Sequence, residues 1–168
     1  MACPFCNIPC LSQRIFYKND KWLALLSAPR HTRGHAILAR LSSSQDCPTG
    51  FDAVTLSGLG DALSDVTQVI KQQYDPKDVL IASVRGDVKH FHIHLIPLHK
   101  DEEDAWRRVT GYKDSHLLEF LGSLEKRRDF QVLELEAKGK SEEQQRSVAE
   151  KELETEIQEL RKKTGYTS

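Results

Sequence analysis

The chain has 168 residues, 39% of them apolar and 29% charged, about the length of one domain built round a single core. Aromatic residues make up 7% and the net charge is −1, so neither a large aromatic platform nor a polyanion-binding surface spread over the whole fold is expected. No apolar run approaches the ~20 residues of a membrane span, and Met1-Ala2-Cys3-Pro4-Phe5-Cys6 lacks the basic-then-apolar pattern of a secretory signal; the expectation is a cytoplasmic protein, with the nucleus left open.

Residues 15–18 and 21–26 read as strands, joined by a short hairpin turn at Asn19-Asp20. Residues 35–41, led in by Gly34, read as a third strand, and 42–50 have loop composition. Leu56, Leu59, Leu63, Val66, Ile70 and Tyr74 fall at steps of three and four. This spacing predicts a helix over 52–74, weakened at Gly58 and Gly60 and ended by Asp75-Pro76. Strands are expected over 78–84 and 90–97. A second helix is expected over 115–128, with Leu117, Leu118, Leu121 and Leu124 on its buried side.

The tail has a different composition. Ser141 with Gln144 reads as a capping box, helix formers run to Lys163, and Gly165 supplies a stop. Ala149, Leu153, Ile157 and Leu160 form a narrow apolar stripe. It suits docking on the chain's own domain or contact with a second chain, and is too short to assign a coiled coil.

The chemistry concentrates in His90-Phe91-His92-Ile93-His94. Strand side chains alternate faces, so the three histidines share one side while Phe91, Ile93 and Leu95 can enter the core. On a straight strand the first and third Cβ atoms lie ~13 Å apart, too far for all three rings to converge on one ion. Two of them with a distant ligand could hold a metal. The other reading is covalent. A neutral imidazole is a nucleophile near pH 7, and if one ring nitrogen donates to a carbonyl the other presents a lone pair. A phosphoryl centre is the natural target, with neighbouring imidazoles as proton donors.

Four cysteines are present, and Cys3, Cys6 and Cys10 lie within eight residues of one another. Such a cluster in a reducing compartment reads as a metal site or a redox pair. Cys3 and Cys6 have zinc-ligand spacing, with Cys47 and Cys10 as further candidates.

His90-Phe91-His92-Ile93-His94-Leu95-Ile96-Pro97 resembles the signature of the histidine triad (HIT) superfamily. Pro29-Arg30-His31-Thr32-Arg33-Gly34-His35-Ala36-Ile37-Leu38 looks like that family's loop-Gly-His-strand segment, and Cys3-Pro4-Phe5-Cys6 resembles the Cys-x-x-Cys of its zinc-containing members. The likeness spans roughly residues 1–100. It implies an α+β fold, a five-stranded antiparallel sheet with a central helix and a C-terminal helical extension. The division that follows is a HIT-like catalytic domain over 1–130 and an extension over 131–168.

The resemblance further implies a nucleotide hydrolase or transferase that cleaves at the α-phosphate of nucleoside phosphoramidates or dinucleoside polyphosphates. His92 would be the nucleophile that forms a nucleotidyl-imidazole. His94 would lie at the leaving group and His35 beside it as a fourth imidazole. Phe5 stands near the family's base-contacting positions and Ser27 near its ribose-contacting one. Arg85, Gly86 and Asp87 occupy a shortened phosphate loop in which Gly86 permits close backbone approach, Arg85 or Lys89 could meet phosphate, and Asp87 would repel it unless it points away. Leu98 stands where the family often has an arginine. Structural zinc held by Cys3, Cys6 and His90 is implied, with no organic cofactor; the family's further histidine ligand is missing from Ala39-Arg40-Leu41-Ser42, where Cys47 or Cys10 could substitute. A purine nucleotide substrate and a homodimer are expected as partners. Two other readings stay open: a non-catalytic nucleotide sensor or adaptor whose tail helix recruits a protein, and a metal-dependent hydrolase using two triad histidines.

Overall fold

The computed structural model describes residues 3–6, 8–27, 32–42, 47–83, 88–101, 104 and 142–167; for Cys10 and residues 142–149 it describes the backbone alone. The loop residues 29–31, the phosphate-loop candidates Arg85, Gly86 and Asp87, the helix expected over 115–128 and Ser141 of the capping box lie outside the described residues.

Strands β1 (Ile15–Lys18) and β2 (Trp22–Leu26) form the expected hairpin. Its turn is one residue longer than the sequence suggests. The side-chain oxygen of Asn19 accepts from the backbone N–H of both Lys21 and Trp22, at 2.9 and 2.7 Å. That Asx turn keeps Lys21 out of the strand. Strand β3 (Ala36–Arg40) pairs antiparallel with β2.

Helix α1 covers Leu59–Tyr74, not 52–74. Gly58 sits at φ 72, a left-handed conformation that α-helix cannot pass through. Residues 52–58 are instead a run of turns anchored by Asp52, whose carboxylate accepts the Thr55 N–H at 2.7 Å. The far end matches the expectation. Asp75, immediately before Pro76, takes φ 43 and donates its N–H to Lys71 O at 3.0 Å.

Strands β4 (Asp78–Ala82) and β5 (His92–Leu98) complete a five-stranded sheet in the order β1-β2-β3-β5-β4. Strand β5 is antiparallel to both β3 and β4. Helix α1 therefore carries the chain over the sheet to its far edge, and the histidine strand returns between β3 and β4. The strand ends differ by a residue or two from the expected 35–41, 78–84 and 90–97.

The two sheet faces are covered differently. On one, Trp22, Leu26, Leu38, Phe91, Ile93 and Leu95 pack with Val66 and Ile70 of α1. Ile157 and Leu160 join them from a second helix, α2 (Glu142–Thr164), which ends at Gly165 with φ 68. The tail stripe thus docks on the chain's own sheet from Leu153 to Leu160. Arg161 adds hydrogen bonds to the carbonyls of Ile15 and Ser12, each at 2.8 Å. On the other face Phe5, Leu11, Ile15, Leu23, Leu25 and Ala39 form a smaller cluster. It is roofed by two short 3-10 segments, Pro4–Cys6 and Ile8–Arg14, that the sequence reading missed. Among the described residues no helix is long and apolar enough to cross a membrane.

Candidate functional site

The alternation of β5 separates its side chains as expected. Phe91, Ile93 and Leu95 lie in the helix-covered core, while His92 opposes Ala39, a member of the cluster on the other face. The rings of His90 and His92 both meet Phe5 on that side, with centroids 5.4 and 5.1 Å away.

The His92 ring is 7% exposed. Its Nδ1–H donates to the carbonyl of His90 at 2.7 Å. This hydrogen bond fixes one tautomer and leaves the lone pair on Nε2, which has no hydrogen-bond partner among the described residues. The His94 ring packs edge-on to His92 at 5.1 Å. His94 Nδ1 also lies 3.0 Å from Nε2 of the fully buried His35. The two nitrogens share one hydrogen bond, so the pair can hold and pass a proton. The three residues expected to carry catalysis, His92, His94 and His35, are therefore contiguous.

His35 reaches this position from the opening of β3. Its carbonyl accepts the Ser27 N–H at 2.8 Å, and its own N–H donates to Thr32 O at 3.2 Å, closing a tight turn through Arg33 and Gly34. Gly34 has φ 73, and a Cβ there would lie 2.6 Å from ring carbons of Tyr74. The Gly-His order in the sequence thus has two steric causes, a left-handed backbone and a ring from α1 pressed against it. Ser27 is buried at the end of β2, its backbone tied to His35. Phe5 is buried too, serving both as core and as the wall beside His92.

His90 precedes β5 and faces a different group. Its Nδ1 lies 3.4 Å from Cys3 Sγ, 3.5 Å from Cys6 Sγ and 3.3 Å from Cys47 Sγ. All four ligand atoms fall within 4.8 Å of one another. In a tetrahedron with metal–sulfur bonds of about 2.3 Å and a metal–nitrogen bond of about 2.0 Å, the N···S edge is about 3.5 Å. The spacing therefore fits a tetrahedral ion held by three thiolates and one imidazole. His90 Nε2–H donates to the carbonyl of Arg40 at 2.6 Å, which turns the Nδ1 lone pair toward the sulfurs. Burial lowers the His90 pKa, opposed by the Arg40 carbonyl and reinforced by His92, so the ring is neutral, as a ligand must be.

The thiols show why a cation suits this place. Burial raises the Cys3 pKa, but hydrogen bonds from the Cys6 side chain and backbone, from Cys47 and from the Phe5 backbone outweigh it and bring the group below its ordinary value. Cys47 is pushed up to about 12 by desolvation and by its contacts with Cys3 and Cys6. Three thiolates crowded together repel one another, and a divalent ion removes that repulsion.

The four metal-ligand candidates named from sequence are thus brought together. Cys10, the other candidate, has no described side chain. No other group of three or more potential ligands occurs among the described residues. The acceptor role of the Arg40 carbonyl escaped the sequence reading, because a backbone oxygen carries no residue-type signal.

No family model matches the chain, and no curated protein does. Solved structures do match. A member of the HIT family from Bacillus subtilis superposes with a TM-score of 0.51 at 20% identity, covering 76% of this chain and 97% of that one. A HIT family protein from Bacillus anthracis gives 0.50 at 22% identity, covering 83% and 97%. A Hit-like protein from Bartonella henselae gives 0.50 at 17%, covering 58% and 81%. At these identities the likeness establishes the fold.

Proposed function

We propose that this chain, which has the histidine-triad fold, is a nucleotide hydrolase or transferase. In this reading it cleaves nucleoside phosphoramidates or dinucleoside polyphosphates at the α-phosphate through a covalent nucleotidyl-His92. The observation that carries the proposal is the His92 ring, with Nδ1–H committed to the His90 carbonyl at 2.7 Å and the His94–His35 pair alongside. A neutral imidazole held this way can act as a nucleophile without a metal.

The chemistry follows from the positions. The Nε2 lone pair attacks the α-phosphorus in line with the scissile bond. The N–P bond forms as the bond to the leaving group breaks, and the leaving group departs with that electron pair. The His94–His35 pair supplies the proton that neutralises it, in the manner of general acid catalysis. Developing positive charge on the His92 ring is stabilised through Nδ1–H by the His90 carbonyl. Water, or another acceptor, then attacks the same phosphorus and the N–P bond breaks. The His94–His35 pair takes up the proton that the acceptor loses. In this reading Phe5, beside the His92 ring, and Ser27, at the end of β2, contact the nucleoside. In this reading Arg85, Gly86 and Asp87 belong to the phosphate side.

We further assign Cys3, Cys6, Cys47 and His90 to a structural zinc ion. A zinc ion held there would cross-link the N-terminal turn, the Cys47 segment and His90 just before β5. The chain's own contribution is to set the ligands at tetrahedral spacing and to orient His90 through Arg40.

The test is direct. The purified protein is mixed with adenosine phosphoramidate or a dinucleoside polyphosphate, quenched, digested and weighed. A mononucleotidyl mass on the peptide that contains His92 is the expected result. Turnover without any adduct on that peptide overturns His92 as nucleophile. Nucleotide binding without turnover identifies a sensor in place of an enzyme.

A further inference from the structure

Strand β5 supplies His92 and His94, and the residue just past its end, five beyond His94, is another buried imidazole. His99 is 4% exposed, and its Nε2–H donates to the carbonyl of Arg33 at 3.0 Å. Arg33 and Gly34 are the two central residues of the turn that closes between Thr32 O and His35 N–H. Gly34 has φ 73, while Arg33 is not among the positive-φ residues. A turn with φ > 0 only at its third residue has type II geometry. Types I and II differ by a flip of the central peptide, here the one between Arg33 and Gly34. The flip swings the Arg33 carbonyl to the opposite side of the turn. A donor fixed on that carbonyl therefore favours the type II form and ties the turn to the chain just beyond β5, while His94 of that strand meets His35 at the turn's end.

From this geometry we infer that His99 is a positioning residue, holding the Thr32–His35 turn so that the His35 ring stays against His94. The inference deepens the proposed reaction and rests on that reading for its kinetic consequence alone. Strand β5 and the residue that follows it grip the turn at two points, through the His94 ring on His35 at 3.0 Å and through His99 on Arg33 at 3.0 Å. The Arg33 guanidinium adds a forked pair to Asp101 at 2.9 and 2.8 Å. Both groups are exposed, at 53% and 69%, so this outer bond contributes little. The buried imidazole carries the constraint, because its carbonyl partner would otherwise have to find another donor. His99 touches neither the reacting phosphorus nor His92, so it acts only through the backbone.

The experiment compares His99→Leu, which removes the donor, with His99→Gln, whose amide can donate to the same carbonyl. Long-range ¹H–¹⁵N spectra of the imidazoles report the His35–His94 contact without any substrate. The expected result is loss of the shared His35–His94 signal in His99→Leu and its retention in His99→Gln. In turnover assays His99→Leu is expected to lower kcat by on the order of 10- to 100-fold, as for a catalytic group displaced by about an ångström. KM changes little, and His99→Gln recovers most of the loss. Unchanged imidazole spectra in folded His99→Leu overturn the inference, as does a loss confined to thermal stability with kcat intact. If the wild-type protein turns over no nucleotide, the proposed reaction fails while the imidazole spectra still decide the positioning role.

Discussion

The carbonyl of His90 accepts the Nδ1–H of His92 at 2.7 Å while the ring of the same His90 faces three cysteine sulfurs. One residue thus serves both groups, its ring facing the candidate ligands and its backbone holding the proposed nucleophile. His92→Asn shortens the side chain, removes the Nε2 lone pair and leaves His90 in place. Product release is expected to fall by at least about 10³-fold, since removing a nucleophile removes the covalent route itself. A circular dichroism spectrum and melting temperature close to wild type would show that the loss is chemical. Activity within a few-fold of wild type would refute the assignment.

Metal content separates the ligand group from a set of free thiols. Elemental analysis of the purified protein is expected to find one zinc ion per chain. Cys6→Ser and Cys47→Ser should each lower the affinity sharply, as each leaves three ligands of four. Stripping the ion with a strong chelator should lower the melting temperature, because binding free energy at such a site is also folding free energy. Protein without zinc and with full thermal stability would show that the sulfurs are structural thiols only.

Much of this site was legible in the sequence, for physical reasons that differ from one residue to the next. The period-two alternation of β5 places His92 and His94 opposite Phe91, Ile93 and Leu95, and that pattern is local. Cys3 and Cys6 are also local, being fixed by the two-residue spacing of a tight turn. Cys47 is not: it joins them through a loop 41 residues beyond Cys6, and nothing in its neighbours distinguishes it from Cys10. The start of α1 was misplaced because a glycine in a helical pattern reads only as a weak spot. Gly58 adopts φ 72, and a Cβ there would meet the Lys21 side chain at 3.5 Å, a contact set by tertiary packing. The 3-10 segments over 4–6 and 8–14 escaped notice because such short pieces have no hydrophobic period. In the tail, Leu153, Ile157 and Leu160 suit docking on the chain's own domain, with contact to a second chain as the other destination; the structure shows the former, and the backbone hydrogen bonds of Arg161 belong to it.

The β1–α1 contact should respond to alkaline pH. Burial pushes the Tyr17 phenol up to about 12, and the hydrogen bond to Asp65 at 3.0 Å and that carboxylate's charge push in the same direction, with Asn19 opposing. The unfolded chain ionises tyrosine near pH 10. The folded state therefore holds this proton more tightly. The resulting stability is complete below about pH 10 and is lost as pH rises through about 12. Absorbance titration should show the Tyr17 phenol ionising later than a free tyrosine. Tyr17→Phe should remove that late component and flatten the alkaline slope of the melting temperature. Asp65→Asn should move the ionisation down, and an unmoved titration would mean the carboxylate does not act on the phenol.

Gly34 joins the fold to the proposed chemistry, and its replacement separates two costs. Alanine there must adopt φ 73, which costs about 1–2 kcal/mol for an L-residue. Its Cβ would also lie 2.6 Å from Tyr74 ring carbons, an overpacking worth about 1–3 kcal/mol in a tight site. Gly34→Ala should therefore destabilise the protein by roughly 2–5 kcal/mol in denaturant titration. It should also displace His35, lowering turnover beyond what the unfolded fraction explains. Combining it with Tyr74→Ala relieves the clash but leaves the backbone strain, and it opens a cavity where the ring had packed. Measured against Tyr74→Ala alone, adding Gly34→Ala should then cost about 1–2 kcal/mol. A full 2–5 kcal/mol in both backgrounds would mean that Tyr74 is not the group a Cβ at position 34 meets.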